Sequence, residues 1–226
     1  MRTPSFIIFL SIVLLLAAGI GAVSYITFAP PSIHGGKASD ASEALPPNIA
    51  PPTRPFISST SPLRGDAAAT VTIFEFGDFF CAPCADVDAT LQKILDEYKG
   101  RVKLIWKDLP NTTIHPLAQK AAQAARCAAE QNKFWEYHDA LLNQTGGAQT
   151  ITEDTLSSTA QTLGLAMGDF TECLASERTK DLVSRDTNEA ILLKVDATPY
   201  FFIGTERFSG AVSEARLKEI IDAIKK

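Results

Sequence analysis

Residues 74–91 read FEFGDFFCAPCADVDATL, and the step Cys81-Ala82-Pro83-Cys84 inside that stretch decides how the rest of the chain is read. Upstream of it, Val71-Thr72-Ile73-Phe74-Glu75-Phe76 carries the β-branched and aromatic residues of a strand, broken by Gly77-Asp78. Downstream, Ala85 to Tyr98 sets Val87, Leu91, Ile94, Leu95 and Tyr98 on one face of a helix that Gly100 ends. Two cysteines two residues apart therefore sit where a strand turns into a helix. A buried core has no need of that spacing. Redox exchange, metal binding and a plain crosslink can each use it.

The pattern continues outward in both directions. Val102 to Trp106 is a second strand, stopped by Pro110, so strand, helix and strand make a βαβ unit with parallel strands. From His115-Pro116 to about Val195 the pattern is helical. Ala121, Ala124, Ala125 and Ala128 mark one segment, and Phe134, His138, Leu141 and Leu142 a second. Leu156 to Leu163 forms a third, and Leu182, Val183, Ala190 and Ile191 a fourth. The period then returns to two: Tyr200-Phe201-Phe202-Ile203 is a strand, Gly204-Thr205 a turn and Arg207-Phe208 a short return strand. Ser213 caps a closing amphipathic helix with Leu217, Ile220, Ile221 and Ile224 inward. The order is that of an α/β, thioredoxin-like sheet carrying a helical insertion at about residues 115–195.

The N-terminal part is of another kind. Phe6 to Phe28 holds no charged residue and as a helix spans about 35 Å, enough for a bilayer core of about 30 Å. With Arg2 as the only charge before it, the positive-inside rule leaves the remainder outside the cytoplasm. Residues 1–29 thus read as a membrane anchor. A cleaved signal peptide is the rival, disfavoured by the length of the apolar run and by Pro30 after the cut. Pro30 to Pro62 holds eight prolines amid Ser, Ala and Gly, the composition of an extended, disordered linker. Residues 63–226 remain as one domain. The 46% hydrophobic composition and formal charge of −5 suit a globular protein and argue against a nucleic-acid partner.

The four cysteines are 81, 84, 127 and 173, an even count in an exported domain. Three pairings are formally open. Proximity nearly forces Cys81 with Cys84, leaving Cys127 with Cys173, or else two separately buried thiols. A 127–173 bridge would close a loop of about 47 residues, roughly 4 kcal/mol in chain-entropy terms. An 81–84 bridge constrains almost nothing, so chemistry is the better account of it. A thiol at a helix start meets unpaired N–H groups and the positive end of the dipole, and both favour the thiolate that attacks and leaves in disulfide exchange. Zinc needs two further ligands at matching spacing, which Cys127 and Cys173 do not supply. Copper delivery favours methionine and histidine near the thiols, but the methionines are Met1 and Met167.

Three separated blocks, VTIFEFGDFFCAPC (71–84), KDLPNTTIHPLAQKAAQAARCAAEQNKFWEYHDALL (107–142) and KVDATPYFFIGTERFSGA (194–211), resemble the DsbA-like thiol:disulfide oxidoreductases of the thioredoxin superfamily. The resemblance implies Cys81 as nucleophile, Cys84 as buried resolving thiol, and Thr198-Pro199 as a cis-proline motif facing them. Thr198 then offers backbone groups to an extended substrate segment. It also implies that Glu75, costly to bury alone, lies beneath the disulfide and pairs with Lys107 from the next strand to handle the Cys84 proton. Trp135, Tyr137 and His138 match the family and read as packing of the insertion.

Two departures matter. Pro83 stands where strong oxidants of this family carry histidine, so the expected Cys81 is less acidic and the potential intermediate, roughly −150 to −230 mV between the DsbA and thioredoxin values. Leu192 to Ala197 lacks the glycine usual before the cis-proline, so the preceding helix must end without it. The expected protein is a membrane-tethered, extracytoplasmic, monomeric enzyme without cofactor or metal that forms disulfides in exported proteins. The resemblance implies a membrane quinone-linked thiol oxidase as its reoxidising partner. The rivals are an isomerase, which in this family needs a dimerisation module that the Pro-rich linker does not supply, a reductase, and a tethered binding module with an inert disulfide.

Overall fold

The computed structural model describes residues 52–145 and 151–224. The expected anchor at 1–29 and most of the expected linker lie outside the described residues. Among the described residues no helix is long and apolar enough to cross a membrane.

Five strands form one sheet in the order β1-β3-β2-β4-β5: β1 Leu63–Gly65, β2 Val71–Gly77, β3 Val102–Asp108, β4 Tyr200–Ile203 and β5 Glu206–Ser209. β2 and β3 are parallel and the other neighbours antiparallel. Helix α1, Ala82–Glu97, is the crossover between β2 and β3. It packs Val87, Leu91 and Ile94 with α7, Glu214–Ala223, onto one sheet face formed by Ile73, Leu104, Phe201 and Ile203. Each such buried Leu or Ile contributes about 1.5–3 kcal/mol. The other face, Phe74, Phe76, Ile105, Tyr200 and Phe202, is covered by Ala190 and Leu193 at the end of a long helix, α6, Glu177–Leu192.

The insertion contains α2 Ala118–Glu130, α3 Phe134–Thr145, α4 Glu153–Thr162, α5 Met167–Ala175 and α6. That is one helix more than the periodicity suggests, because α5 is only nine residues long. Cys127 of α2 and Cys173 of α5 are joined by a disulfide. The inward face of α6 also differs from the expected one: Ile191 is exposed, while Thr179, Val183, Asp186, Glu189 and Ala190 are buried. Two acidic residues on the buried face hide its periodicity from a hydrophobic template. Without glycine, α6 ends on Lys194 at φ +57, with Lys194 N–H bonded to Ile191 O and Val195 N–H to Ala190 O, the paired bonds of a Schellman cap.

The domain begins earlier than Leu63. Pro55 and Pro62 are buried, Phe56 N–H donates to Glu189 Oε1 at 2.7 Å, and Thr60 O accepts from Arg126 at 2.8 Å. Proline content alone concealed this, because the segment is held by its backbone rather than by a hydrophobic pattern.

Candidate active site

The strand-to-helix turn is built by local rules. Gly77 ends β2 where an added Cβ would lie 2.2 Å from the Trp106 ring, so only glycine lets the chain pass over that indole. Asp78 then organises the turn. Its carboxylate accepts Phe80 N–H at 3.0 Å and Asn111 N–H at 2.9 Å, and its carbonyl accepts Cys81 N–H at 3.0 Å. Burial raises the Asp78 carboxyl above its ordinary range against those donors. Phe80, beside Cys81, stacks on His115 with ring centroids 5.0 Å apart.

Cys81 is the N-cap of α1, with extended backbone and Pro83 in the first turn. Its carbonyl accepts the N–H groups of Cys84 and Ala85. The Cys81 thiol is half-buried, the Cys84 thiol fully buried, and both are free. The Cys81 thiol donates to Thr198 O at 3.3 Å, and the Thr198-Pro199 bond is cis. Cys81 is held down to about 7, first by a hydrogen bond from the Cys84 thiol, against burial, with help from the Cys84 backbone N–H. Cys84 is pushed far above its ordinary value by burial, by that same hydrogen bond and by the nearby Glu75 charge. The two sulfurs are therefore chemically unlike. The Cys84 S–H is the hydrogen-bond donor that does most to lower the Cys81 thiol.

The expected Glu75–Lys107 pair does not form. In the parallel register Glu75 stands beside Trp106, and Lys107 stands beside Phe76. Alternate residues of a strand point to opposite faces, so the carboxylate and the ammonium leave the sheet on different sides. Lys107 Nζ instead lies 2.8 Å from Glu189 Oε2 and 3.2 Å from Asp186 Oδ1 of α6. Glu75 is buried with Oε1 unpartnered, and burial, then the Asp88 and Cys81 charges, hold its carboxyl well above the usual range. The sequence reading missed Asp88, one turn beyond Cys84 on α1. The signal was available: a carboxylate at position 88 shares the inward face with Val87 and Leu91.

One group of potential metal ligands is found among the described residues, Asp88, His138 and Asp139, and neither thiol belongs to it. Arg64 holds both oxygens of Asp139, at 2.6 and 2.7 Å, so that carboxylate is already paired with a cation.

The family model described as Thioredoxin matches residues 58–223. The chain belongs to the thioredoxin family. Among solved structures, the fold is similar to a thioredoxin-like oxidoreductase from Silicibacter pomeroyi. That likeness has TM-score 0.67 and 23% identity over 74% of this chain and 92% of the other. It is also similar to the thiol-disulfide exchange protein alpha-DsbA2 from Wolbachia pipientis, with TM-score 0.65 and 20% identity over 73% and 87%. The architecture is thus a DsbA-like variant of the thioredoxin fold. A curated relative, the Na(+)/H(+) antiporter NhaA 3 of Salinispora tropica, is 37% identical over 148 residues, 66% of this chain and 22% of that protein. This thioredoxin-family chain spans between 22% and 28% of the length of the antiporters it matches.

Proposed function

We propose that the domain is an extracytoplasmic thiol–disulfide oxidoreductase that forms disulfides in exported proteins through Cys81 and Cys84. The observation that carries this reading is the asymmetry of the pair: a half-buried thiol held to about 7 at a helix N-terminus, beside a fully buried one pushed the other way. A substrate thiolate attacks Cys81 Sγ of the disulfide form, and the S–S bond breaks toward Cys84, which takes up a proton. The substrate's second thiolate then attacks the mixed disulfide and releases Cys81 as the thiolate, its more stable form. Thr198, whose carbonyl already meets Cys81, is the backbone group against which an extended substrate segment lies. Glu75 is the group that supplies the Cys84 proton: burial raises its carboxyl well above the usual range, and its charge acts on Cys84.

The 127–173 disulfide supports an oxidising compartment, outside the cytoplasm. The partners of this reading are exported proteins with free thiols and a membrane quinone-linked thiol oxidase, with the enzyme itself a monomer tethered by residues 1–29.

A reductase or isomerase direction is favoured by one observation: Pro83, which has no N–H to offer a thiolate, stands in the first helical turn between the two thiols, and Cys81 is lowered only to about 7. Equilibrating the pair with glutathione decides the direction. A potential between about −150 and −230 mV keeps the oxidant reading, and one near −270 mV replaces it with a reductase. Cys81→Ser must abolish exchange with a reduced two-cysteine peptide. A wild-type protein that neither oxidises nor reduces that peptide at any glutathione poise leaves a tethered binding module with an inert pair.

A further inference from the structure

The turn that carries Cys81 leaves the sheet between two other segments. β2 lies between β3 and β4, β2 and β3 run parallel, and β4 runs against them. The end of β2 at Gly77 is therefore flanked on one side by the loop after β3, residues 109–117, and on the other by Thr198-Pro199 before β4. Thr198 meets the Cys81 thiol through its carbonyl. The loop on the other side is pinned to the same turn at three places. Leu109 N–H donates to Gly77 O at 2.9 Å, Asn111 N–H donates to Asp78 Oδ2 at 2.9 Å, and the His115 ring stacks on Phe80 with the planes 18° apart.

The loop is also closed on itself. Asn111 O accepts His115 N–H at 3.0 Å, Asn111 Oδ1 accepts Ile114 N–H at 3.3 Å, and His115 O accepts Ala118 N–H at 2.9 Å where α2 begins. These bonds hold Ile114 outward and 67% exposed, as far out as any large apolar side chain among the described residues. A single exposed isoleucine is ordinary on a protein surface. This one is fixed by its own backbone bond, one residue from a ring that stacks beside the nucleophile. Ile114, His115 and Phe80 thus make a rigid shelf of aliphatic and aromatic surface next to Cys81. The rest of the loop holds only proline, asparagine, threonine and leucine, so it brings no acidic or basic side chain.

A mixed disulfide at Cys81 decides what meets this shelf. Such a bond holds its two Cα atoms about 4.4–6.8 Å apart. In an extended segment, the side chains two residues from the cysteine point the same way as the cysteine and stand about 6–7 Å from it along the chain. A substrate segment that crosses from Thr198 over Cys81 therefore lays one of them on the shelf. We propose that Ile114, together with the Phe80–His115 stack, is the specificity-determining contact of the exchange site, selecting substrate segments that carry an apolar side chain two residues from the reacting cysteine. This rests on the reading of Cys81 and Cys84 as the exchanging pair. An apolar side chain there takes the Ile114 surface out of water. A hydroxyl leaves it wet. A carboxylate is worst, because the loop offers it no cation and it meets the Asp78 charge that already acts on Cys81.

The test follows opening of the disulfide form of the full-length protein by stopped-flow tryptophan fluorescence, with reduced two-cysteine peptides. The peptides carry leucine, serine or aspartate two residues to either side of the attacking cysteine. Wild type is expected to react about tenfold faster with the leucine peptide than with the serine one, the low end for one apolar contact in a binding site, and slowest with aspartate. Ile114 is exposed, so Ile114→Ser folds, and it is expected to lose most of that ratio while the Cys81 alkylation midpoint stays at its wild-type value. Ile57→Ser is the comparison. Ile57 is 47% exposed and lines a cavity with Thr70, Val71 and Gly204, at the other end of the central strands, so the ratio survives its loss. Equal wild-type rates with leucine and serine overturn the proposal, as does an Ile114→Ser protein that keeps the wild-type ratio. Equal loss in Ile57→Ser overturns it too, and so does a moved midpoint in Ile114→Ser, which would mean that the loop acts on the thiol rather than on the substrate. No exchange with any peptide sinks the redox assignment and this one together, whereas exchange without preference sinks this one alone.

Discussion

Two buried clusters of charge lie on either side of the central strands, and they are finished to different degrees. In the cluster around Lys107 and Arg126 every carboxylate oxygen has a hydrogen-bond donor or, for Glu189 Oε2, an ion-pair partner. Asp108 takes Trp106 Nε1–H at 2.8 Å and Arg126 Nε–H at 2.6 Å, and Asp186 takes Lys107, Arg126 and the Asp108 N–H. Glu189 takes Phe56 N–H through Oε1, and its Oε2 lies 2.8 Å from Lys107 Nζ as an ion pair off the hydrogen-bonding direction. In the cluster around Glu75, Glu75 Oε1 and His138 Nε2 are left open. A saturated network fixes architecture, here tying α2, α6 and the segment from Pro55 to β3. In the open one, burial raises the Glu75 carboxyl with no hydrogen bond to Oε1 to oppose it.

The sharpest way to break this contrast is to remove a partner from the saturated side. Arg126→Met leaves Asp108 and Asp186 buried without their cation and is expected to cost about 3–5 kcal/mol of unfolding free energy in a denaturant titration. The Cys81 alkylation midpoint, near 7, should stay where it is. A small loss of stability accompanied by a moved thiol midpoint would mean that the two clusters are one.

This contrast also explains what the sequence makes visible. The parallel β2–β3 pair, the crossover helix α1 and the place of Cys81 and Cys84 follow from hydrophobic period and turn residues, whereas the three-residue edge strand β1, and with it the full sheet order, does not. The family resemblance pairs Lys107 with Glu75, but alternation along β3 sends it to α6, about 80 residues away in the chain. Asp186 and Glu189, its true partners, break the apolar stripe of α6 and so disguised that helix's inward face. The segment from Pro55 to Pro62 looked like linker because backbone groups hold it, and those carry no sequence signal. What stays hidden in each case is long-range pairing of polar groups, which composition and period do not encode.

On the open side the sign reverses. Glu75→Gln removes a carboxyl that folding holds above its unfolded value of about 4.5. A raised acid stabilises the fold fully below that unfolded value, and the contribution is lost as pH rises through the folded value. Wild type should therefore lose stability relative to Glu75→Gln on going from pH 4 to pH 8. The same variant should slow peptide-driven opening of the disulfide form by roughly 100-fold, the low end of a general acid's contribution. Equal stability at both pH values would show that Glu75 is solvated after all.

The smallest effect sharpens the contrast from the architectural side. α6 carries Asp186 and Glu189 and ends on Lys194 at φ +57, in a region that costs an L-residue roughly 1–2 kcal/mol. Lys194→Gly relieves that cost but returns about 0.5–1 kcal/mol through the freer unfolded chain. The expected outcome is a gain of about 0.5 kcal/mol, read as a shift of the denaturation midpoint at constant m-value. Rates of disulfide opening should match wild type from pH 5 to 9, because the cap bonds from Lys194 to Ile191 and from Val195 to Ala190 are backbone bonds that glycine keeps. A change in those rates would instead join the end of α6 to the Thr198 groove four residues on, and would make the lysine part of the site rather than of the frame.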